Sequence, residues 1–154
     1  MSLPEVEIFT DGSCLVNPGG PGGYGVILKQ GTRVKELCGG DVNTTNNRME
    51  LTAVVAGLEA LKRPCKVTIY SDSKYVVDAI SKHWLDKWIH NRWRTSTGLV
   101  KNRDLWEQIL LLNSRHQVTY VWVQGHSGHA ENERCDQLAR SFAISLQRGE
   151  ITDK

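Results

Sequence analysis

Over residues 5–10 apolar and polar side chains alternate, with Val6 and Ile8 on one face and Glu7 and Phe9 on the other, which predicts a β-strand. The same period over residues 24–29 and 33–38, separated by the turn Gln30-Gly31-Thr32, predicts two further strands in an antiparallel meander. The period then changes. Leu51, Val54, Val55, Leu58 and Leu61 recur at helical spacing from a start near Asn47, and Pro64 ends the run. Residues 66–71 form a fourth strand, with Val67 and Ile69 facing one way. A helix from near Ser73 leads into a tryptophan-rich stretch that Gly98 interrupts, and residues 104–112 form another helix. A last strand covers 118–123. The closing helix over 131–146 carries Cys135, Leu138, Ala139, Phe142 and Leu146 on one stripe. The order β-β-β-α-β-α-α-β-α places helical crossovers between the later strands, which therefore pair parallel, while the first three pair antiparallel. An α/β fold follows, one mixed sheet flanked by helices. No repeat or long linker divides residues 1–154, so a single domain is expected, with its ordered core at about 5–146 and a tail at 147–154.

Composition narrows the class. At 154 residues, 40% hydrophobic and 23% charged, the chain is neither disordered nor too small to bury a core. No apolar run approaches the roughly 20 residues of a membrane helix. Residues 1–7 lack the basic and apolar regions of an export signal. Cys14, Cys38, Cys65 and Cys135 are scattered, with no CxxC pair, and read as free thiols of a reducing, cytoplasmic compartment. No large exposed apolar pattern calls for a partner, so a monomer is expected. The net charge of +2 is uninformative, but its distribution is not: residues 82–103 hold six Lys/Arg, two His, one acid (Asp86) and three of the five tryptophans (Trp84, Trp88, Trp93). That is a basic arm on a nearly neutral body.

Four carboxylates are positioned to meet. Asp11 and Asp72 follow the first and fourth strands in similar local settings, Thr10-Asp11-Gly12 and Ser71-Asp72-Ser73. Ligands of α/β sheets gather beyond the carboxyl ends of strands, and parallel neighbours would bring these two acids together. Glu50 immediately precedes Leu51, the first residue of its helix's apolar stripe, and Asp136 follows Cys135 at the border of another. Each has a plainer explanation. Asp11 opens an Asp-Gly turn, Glu50 lies at capping-box spacing from Asn47, Asp72 can cap the next helix, and Asp136 can pair with Arg140. Taken together, four converging acids would repel one another unless cations neutralised them. All-oxygen ligation suits Mg²⁺, with Mn²⁺ as an alternative, and two such ions about 3.5–4 Å apart can hold both oxygens exchanged in phosphodiester cleavage.

The strings Phe9-Thr10-Asp11-Gly12-Ser13, Thr45-Asn46-Asn47-Arg48-Met49-Glu50-Leu51, Tyr70-Ser71-Asp72-Ser73-Lys74-Tyr75-Val76, Gly125-His126-Ser127-Gly128-His129 and Glu131-Asn132-Glu133-Arg134-Cys135-Asp136 resemble, in order, the signature segments of ribonuclease H, most closely the bacterial type I enzymes. The resemblance spans residues 6–142. It implies a mixed five-stranded sheet and makes Asp11, Glu50, Asp72 and Asp136 metal-binding catalytic carboxylates. His126 would assist the attacking water or product release, a role that suits a histidine in a glycine-flanked loop. Cys14, Asn17, Asn46 and Asn47 would contact the minor groove of a hybrid, where short polar groups can test for 2′-hydroxyls. Thr45 and Asn102 would hold a DNA phosphate. Lys74 stands where many bacterial relatives carry glutamine, and a lysine there still favours a phosphate. The basic arm resembles the protrusion of the bacterial enzymes, with Lys87 and Trp88 as candidates for phosphate and sugar contact. The spacing of Trp84 and Trp88 favours core packing over substrate contact.

Other chemistries fit less well. His126, His129 and Cys135 match no common zinc spacing. The run 17–25, Asn-Pro-Gly-Gly-Pro-Gly-Gly-Tyr-Gly, lacks the Gly-Lys-Ser/Thr ending of a P-loop, and reads instead as a glycine-rich hairpin whose backbone can pass close to nucleic acid. The expected activity is sequence-nonspecific endonucleolytic hydrolysis of the RNA strand of RNA–DNA hybrids, leaving 5′-phosphate and 3′-hydroxyl ends. The alternative is a noncatalytic hybrid- or double-stranded-RNA-binding module, which would have no use for four acids that repel phosphates.

Overall fold

The alternation of Val6 and Ile8 builds a first strand, β1, that runs Glu5–Cys14 in the computed structural model, which describes residues 2–125 and 129–151. β2 (Gly22–Gln30) and β3 (Arg33–Asp41) complete an antiparallel meander, with Gly31 at φ +60° in the turn between them, where a side chain would be strained. β4 (Lys66–Ser71) pairs parallel with β1, and β7 (Gln117–Trp122) pairs parallel with β4. The five strands lie in the order β3-β2-β1-β4-β7, the mixed sheet expected from the sequence. The intervening helices are α1 (Asn46–Glu59), α2 (Lys74–Ser81), α3 (Trp84–His90), α4 (Arg103–Asn113) and α5 (Ala130–Gln147). Where Gly98 interrupts the helical pattern, β5 (Arg94–Thr95) and β6 (Gly98–Leu99) form a small hairpin, with Gly98 at φ +125°. None of the described helices is long and apolar enough to cross a membrane.

Each face of the sheet carries its own core. Ile8, Val26 and Ile69 point to one side and are sealed by Leu51, Val54 and Leu58 of α1, Val76 of α2, and Trp106 and Ile109 of α4. A fully buried aliphatic of this size contributes about 1.5–3 kcal/mol, so this layer anchors α1 and with it Glu50. Phe9 and Ile27 point the other way and meet Cys135 of α5. Tyr70 stacks on Phe9 there, with ring centroids 4.8 Å apart. Phe9 is therefore buried although it lies opposite Val6 and Ile8, because both faces are covered.

The glycine-rich segment departs from expectation. Most of its glycines lie within β2 rather than in a hairpin loop, and two of them carry α5. A Cβ on Gly23 would stand 2.1 Å from the Ala139 carbonyl oxygen, and one on Gly25 2.3 Å from that of Cys135. The helix backbone packs directly on the strand, which only glycine permits at these two positions. Alternation of side chains cannot register this, since glycine has none. Two ion pairs join α5 to the sheet, a half-buried Lys29–Glu131 at 2.9 Å and an exposed Arg134–Glu36 at 2.8 Å.

Candidate metal centre

Thr10 and Ser71 are register partners in the parallel pair β1–β4, so Asp11 and Asp72, the next residues, emerge side by side. Asp11 is not terminal in β1. The strand continues against β2, with Asp11 opposite Gly25, and only its pairing with β4 stops there. Asp72 lies between two serines that close the turn. The Ser73 N–H donates to Ser71 Oγ at 3.1 Å, and Ser73 Oγ accepts from the Val76 N–H at 3.3 Å. Capping of α2 thus falls to Ser73 and not to Asp72.

Glu50 arrives from α1, which crosses β1 at Gly12 so closely that a Cβ there would stand 2.4 Å from the Glu50 nitrogen. The N-cap of α1 is Thr45, whose hydroxyl accepts from the Arg48 N–H at 3.1 Å. The helix starts at Asn46, earlier than the apolar stripe predicts, and Glu50 is too far from the cap for a capping box. Carboxylate oxygens of Asp11, Glu50 and Asp72 all lie within 4.8 Å of one another. Asp136 of α5 is not one of that trio, but its charge reaches Asp11 and helps to raise its carboxyl. No ion pair joins it to Arg140 among the described residues.

The cluster is electrostatically costly without a counter-charge. Asp11 is 7% exposed. Burial, followed by the charges of Asp72 and Asp136, pushes its carboxyl up to about 8, against which the Gly12 N–H at 2.9 Å is the opposing donor. Burial and the neighbouring Asp11 and Asp72 also hold Glu50 well above the usual carboxylate range. Glu50 Oε1 is sealed from solvent without a hydrogen-bond partner. A buried, unpartnered carboxylate oxygen among other carboxylates is the donor set of a hard divalent cation. Thiolate ligation does not enter, because Cys135 Sγ donates to the Phe9 carbonyl oxygen at 3.3 Å and burial pushes the thiol up. His126 lies outside the described residues. Gly125, just before it, adjoins Asp72, and a Cβ on that glycine would stand 3.0 Å from Asp72 Oδ2.

The ribonuclease H family model matches residues 4–144. The chain belongs to that family. It is 55% identical over 142 residues to the ribonuclease H of Oleidesulfovibrio alaskensis, covering 92% of each chain. Among solved structures it resembles LC9-RNase H1, a type 1 RNase H with the type 2 active-site motif, with a TM-score of 0.85, 31% identity, and coverage of 94% of this chain and 74% of the other. The fold also matches LC11-RNase H1, solved in complex with an RNA/DNA hybrid, with a TM-score of 0.72, 20% identity, and coverage of 92% and 99%.

Around this ribonuclease H centre, the remaining sequence-selected residues fall into two groups. The first is a polar surface beside the start of α1. Asn17 Oδ1 accepts from the Asn46 N–H at 3.2 Å, and the Cys14 thiol donates to the Val16 carbonyl at 3.0 Å. Backbone bonds from Gly19 to Thr44 O at 2.8 Å and from Thr44 to Gly20 O at 3.0 Å tie the two loops together. Cys14, Asn17, Thr45, Asn46 and Asn47 thereby share one shelf. The second group lies toward the arm. Lys74 begins α2, and its ammonium sits 4.9 Å from the centre of the Trp122 ring. Lys87 is exposed on α3. Trp88 is half-buried and meets Trp106 edge-on at 5.8 Å, and Trp93 is buried, so the arm's tryptophans serve mainly to fasten it to the core. Arg48, Tyr75 and Trp122 were not singled out by sequence. Arg48 and Tyr75 lie inside two of the quoted motifs, so their positions were visible although their partners were not.

Proposed function

We propose that this chain hydrolyses the RNA strand of RNA–DNA hybrids endonucleolytically, using Asp11, Glu50, Asp72 and Asp136 to hold Mg²⁺, with 5′-phosphate and 3′-hydroxyl products. The observation that carries this reading is the trio of carboxylates within 4.8 Å, one with a buried unpartnered oxygen, at the carboxyl end of parallel strands. A divalent ion held by these carboxylates would supply the positive charge that stabilises a phosphodiester displacement. The protein's part is placement. β1 and β4 hold two of the acids in register, α1 brings the third over Gly12, and α5 brings the fourth against Asp11. The shelf of Cys14, Asn17, Asn46 and Asn47 offers short polar groups suited to a minor groove and its 2′-hydroxyls. Thr45 and Asn102 are assigned to a DNA phosphate, Lys74, Lys87 and Trp88 to further backbone contact, and His126 to proton transfer near the scissile phosphate. A single-domain, cytoplasmic monomer is part of the same reading.

The test is cleavage of an end-labelled RNA strand offered alone, in RNA–RNA duplex, and paired to DNA, with Mg²⁺, Mn²⁺ or EDTA. Cutting is expected only in the hybrid and only with metal. Folded protein that binds the hybrid but cuts it with neither ion would favour the noncatalytic module.

Stability should respond to metal in a pH-dependent way. The folded state holds the Asp11 proton up to about pH 8, whereas the unfolded carboxyl releases it near its ordinary 3.8. The folded state therefore binds more protons across that window, and in EDTA this group makes stability fall as pH rises through it. Mg²⁺ competes with the proton, so the rise in Tm on adding Mg²⁺ should be larger at pH 8.5 than at pH 6, each pH compared with its own EDTA control. A shift of equal size at both pH values would contradict ligation by Asp11.

Lys74 and Lys87 give a quieter prediction. Each phosphate contact removed should lower the slope of log affinity against log salt by about 0.7–0.9 in magnitude. Lys74→Gln and Lys87→Ala, measured by hybrid binding with Ca²⁺ replacing Mg²⁺, should each show this. An unchanged slope would remove that lysine from the interface.

A further inference from the structure

Three elements meet at Asn102, and the geometry there assigns a task to two residues with no role so far. Arg48 Nη1 donates to Asn102 Oδ1 at 3.2 Å, and its guanidinium grips Asp104 through bonds of 3.0 and 2.8 Å. From the other side, Asn102 Nδ2 donates to the Tyr75 hydroxyl at 3.2 Å. That hydroxyl also accepts from Trp106 Nε1 at 3.0 Å, and Trp106 is fully buried. Asn102 is the N-cap residue of α4, yet its backbone is left-handed, at φ 64° and ψ 25°, and its side chain makes no capping bond. An asparagine at this position ordinarily turns its oxygen onto the first turn of the helix. Here the oxygen is engaged elsewhere.

We propose that Arg48 and Tyr75 are positioning residues that fix the amide of Asn102 so that an N–H, and not the carbonyl, faces a backbone phosphate of the hybrid. This rests on the reading of Asn102 as a phosphate contact. A phosphate presents only acceptors, and an asparagine amide can present either edge. Guanidinium has no acceptor, so Arg48 takes the oxygen. The orientation is thus set by Arg48, and the Tyr75 oxygen, which also accepts from Trp106, takes the Asn102 amide as a second donor and pins its nitrogen end. The second Nδ2 hydrogen is left for a ligand. Arg48 lies two residues before Glu50 on α1, so it also sets the distance from the phosphate contact to the carboxylates.

The experiment is a double-mutant cycle, with KM and kcat on a labelled hybrid and Tm for every variant. Asn102→Ala should raise KM about tenfold, the loss expected for one hydrogen bond to a charged group, with kcat within twofold. Tyr75→Phe should raise KM several-fold, and the double variant should be no worse than Asn102→Ala alone, because the two act through one contact. Trp106→Phe is the structural control. It removes another partner of the same hydroxyl, and should lower Tm while leaving KM within twofold. If the Tyr75 and Asn102 effects simply add, or if Trp106→Phe raises KM as much as Tyr75→Phe does, the positioning role is overturned while the phosphate contact stands. If Asn102→Ala leaves KM unchanged, the phosphate contact itself fails and the positioning role with it. Should Tyr75→Phe not fold, Arg48→Met in the same cycle carries the test, with the same non-additivity expected.

Discussion

Asp11→Asn is expected to reduce hybrid cleavage by about 10³–10⁴-fold, since several kcal/mol of charge stabilisation at the reacting phosphate is lost with the ion it helps to hold. The substitution is nearly isosteric, and its amide nitrogen cannot ligate a cation. Hybrid binding without metal should be unchanged or tighter, because one negative charge facing the phosphates is gone. Stability gives an independent signature. Asp11 is buried among Asp72, Glu50 and Asp136, and its carboxyl is pushed up to about 8. In EDTA at pH 8.5 a neutral amide should therefore raise Tm, and at pH 5, where the native carboxyl already carries its proton, the gain should vanish. The Mg²⁺-induced rise in Tm should also be lost. A variant that still cleaves within tenfold of the parent would sink the assignment of Asp11 to the metal.

Gly12→Ala is expected to cost both fold and activity, by a different route. Its Cβ would stand 2.4 Å from the Glu50 nitrogen, 2.5 Å from the Met49 carbonyl carbon and 2.9 Å from Met49 Cβ. Two of these are backbone atoms of α1, so no rotamer change relieves the clash, and the first turns of the helix must lift off β1. Overpacking of this kind costs about 1–3 kcal/mol. The displacement falls on Glu50, and misplacing a reacting group by about 1 Å costs on the order of 10²-fold in rate. Tm and kcat should fall together, and the Mg²⁺ concentration for half-maximal rate should rise. A lower Tm with kcat intact would mean that the position of Glu50 is not critical. Reading the two substitutions side by side separates the charge of the site from its geometry.

Much of the site was legible along the chain. Asp11 and Asp72 stood out because each follows a strand with period-two alternation, and Glu50 and Asp136 because each borders a buried helical stripe. The basic arm was visible from Lys82 onward, and the helical spacing of Trp84 and Trp88 pointed to core packing, where Trp88 indeed meets Trp106. Other features were hidden for specific reasons. Gly23 and Gly25 left no mark on the hydrophobic pattern because their role is the absence of a side chain beneath α5. The plainer readings of Glu50 and Asp72 stayed open until Thr45 and Ser73 took the caps. Arg48, read alone, is one more surface cation of a helix. Its bond to Asn102 spans 54 residues of sequence, and no local period connects the two.

The sequence by itself determined the order of elements, the mixed pairing of the sheet and the placing of Asp11, Glu50 and Asp72 where they can meet at its edge, because burial imposes a period of two on strands and near 3.6 on helices. The tertiary structure alone decided how those acids interact. That Asp11 holds its proton to about pH 8, that Glu50 keeps an oxygen with no partner, and that Asn102 is gripped from α1 and α2 at once follow from distances through space. Desolvation and Coulomb energy depend on those distances and not on separation along the chain, and that dependence makes a row of ordinary carboxylates into a site for a divalent cation.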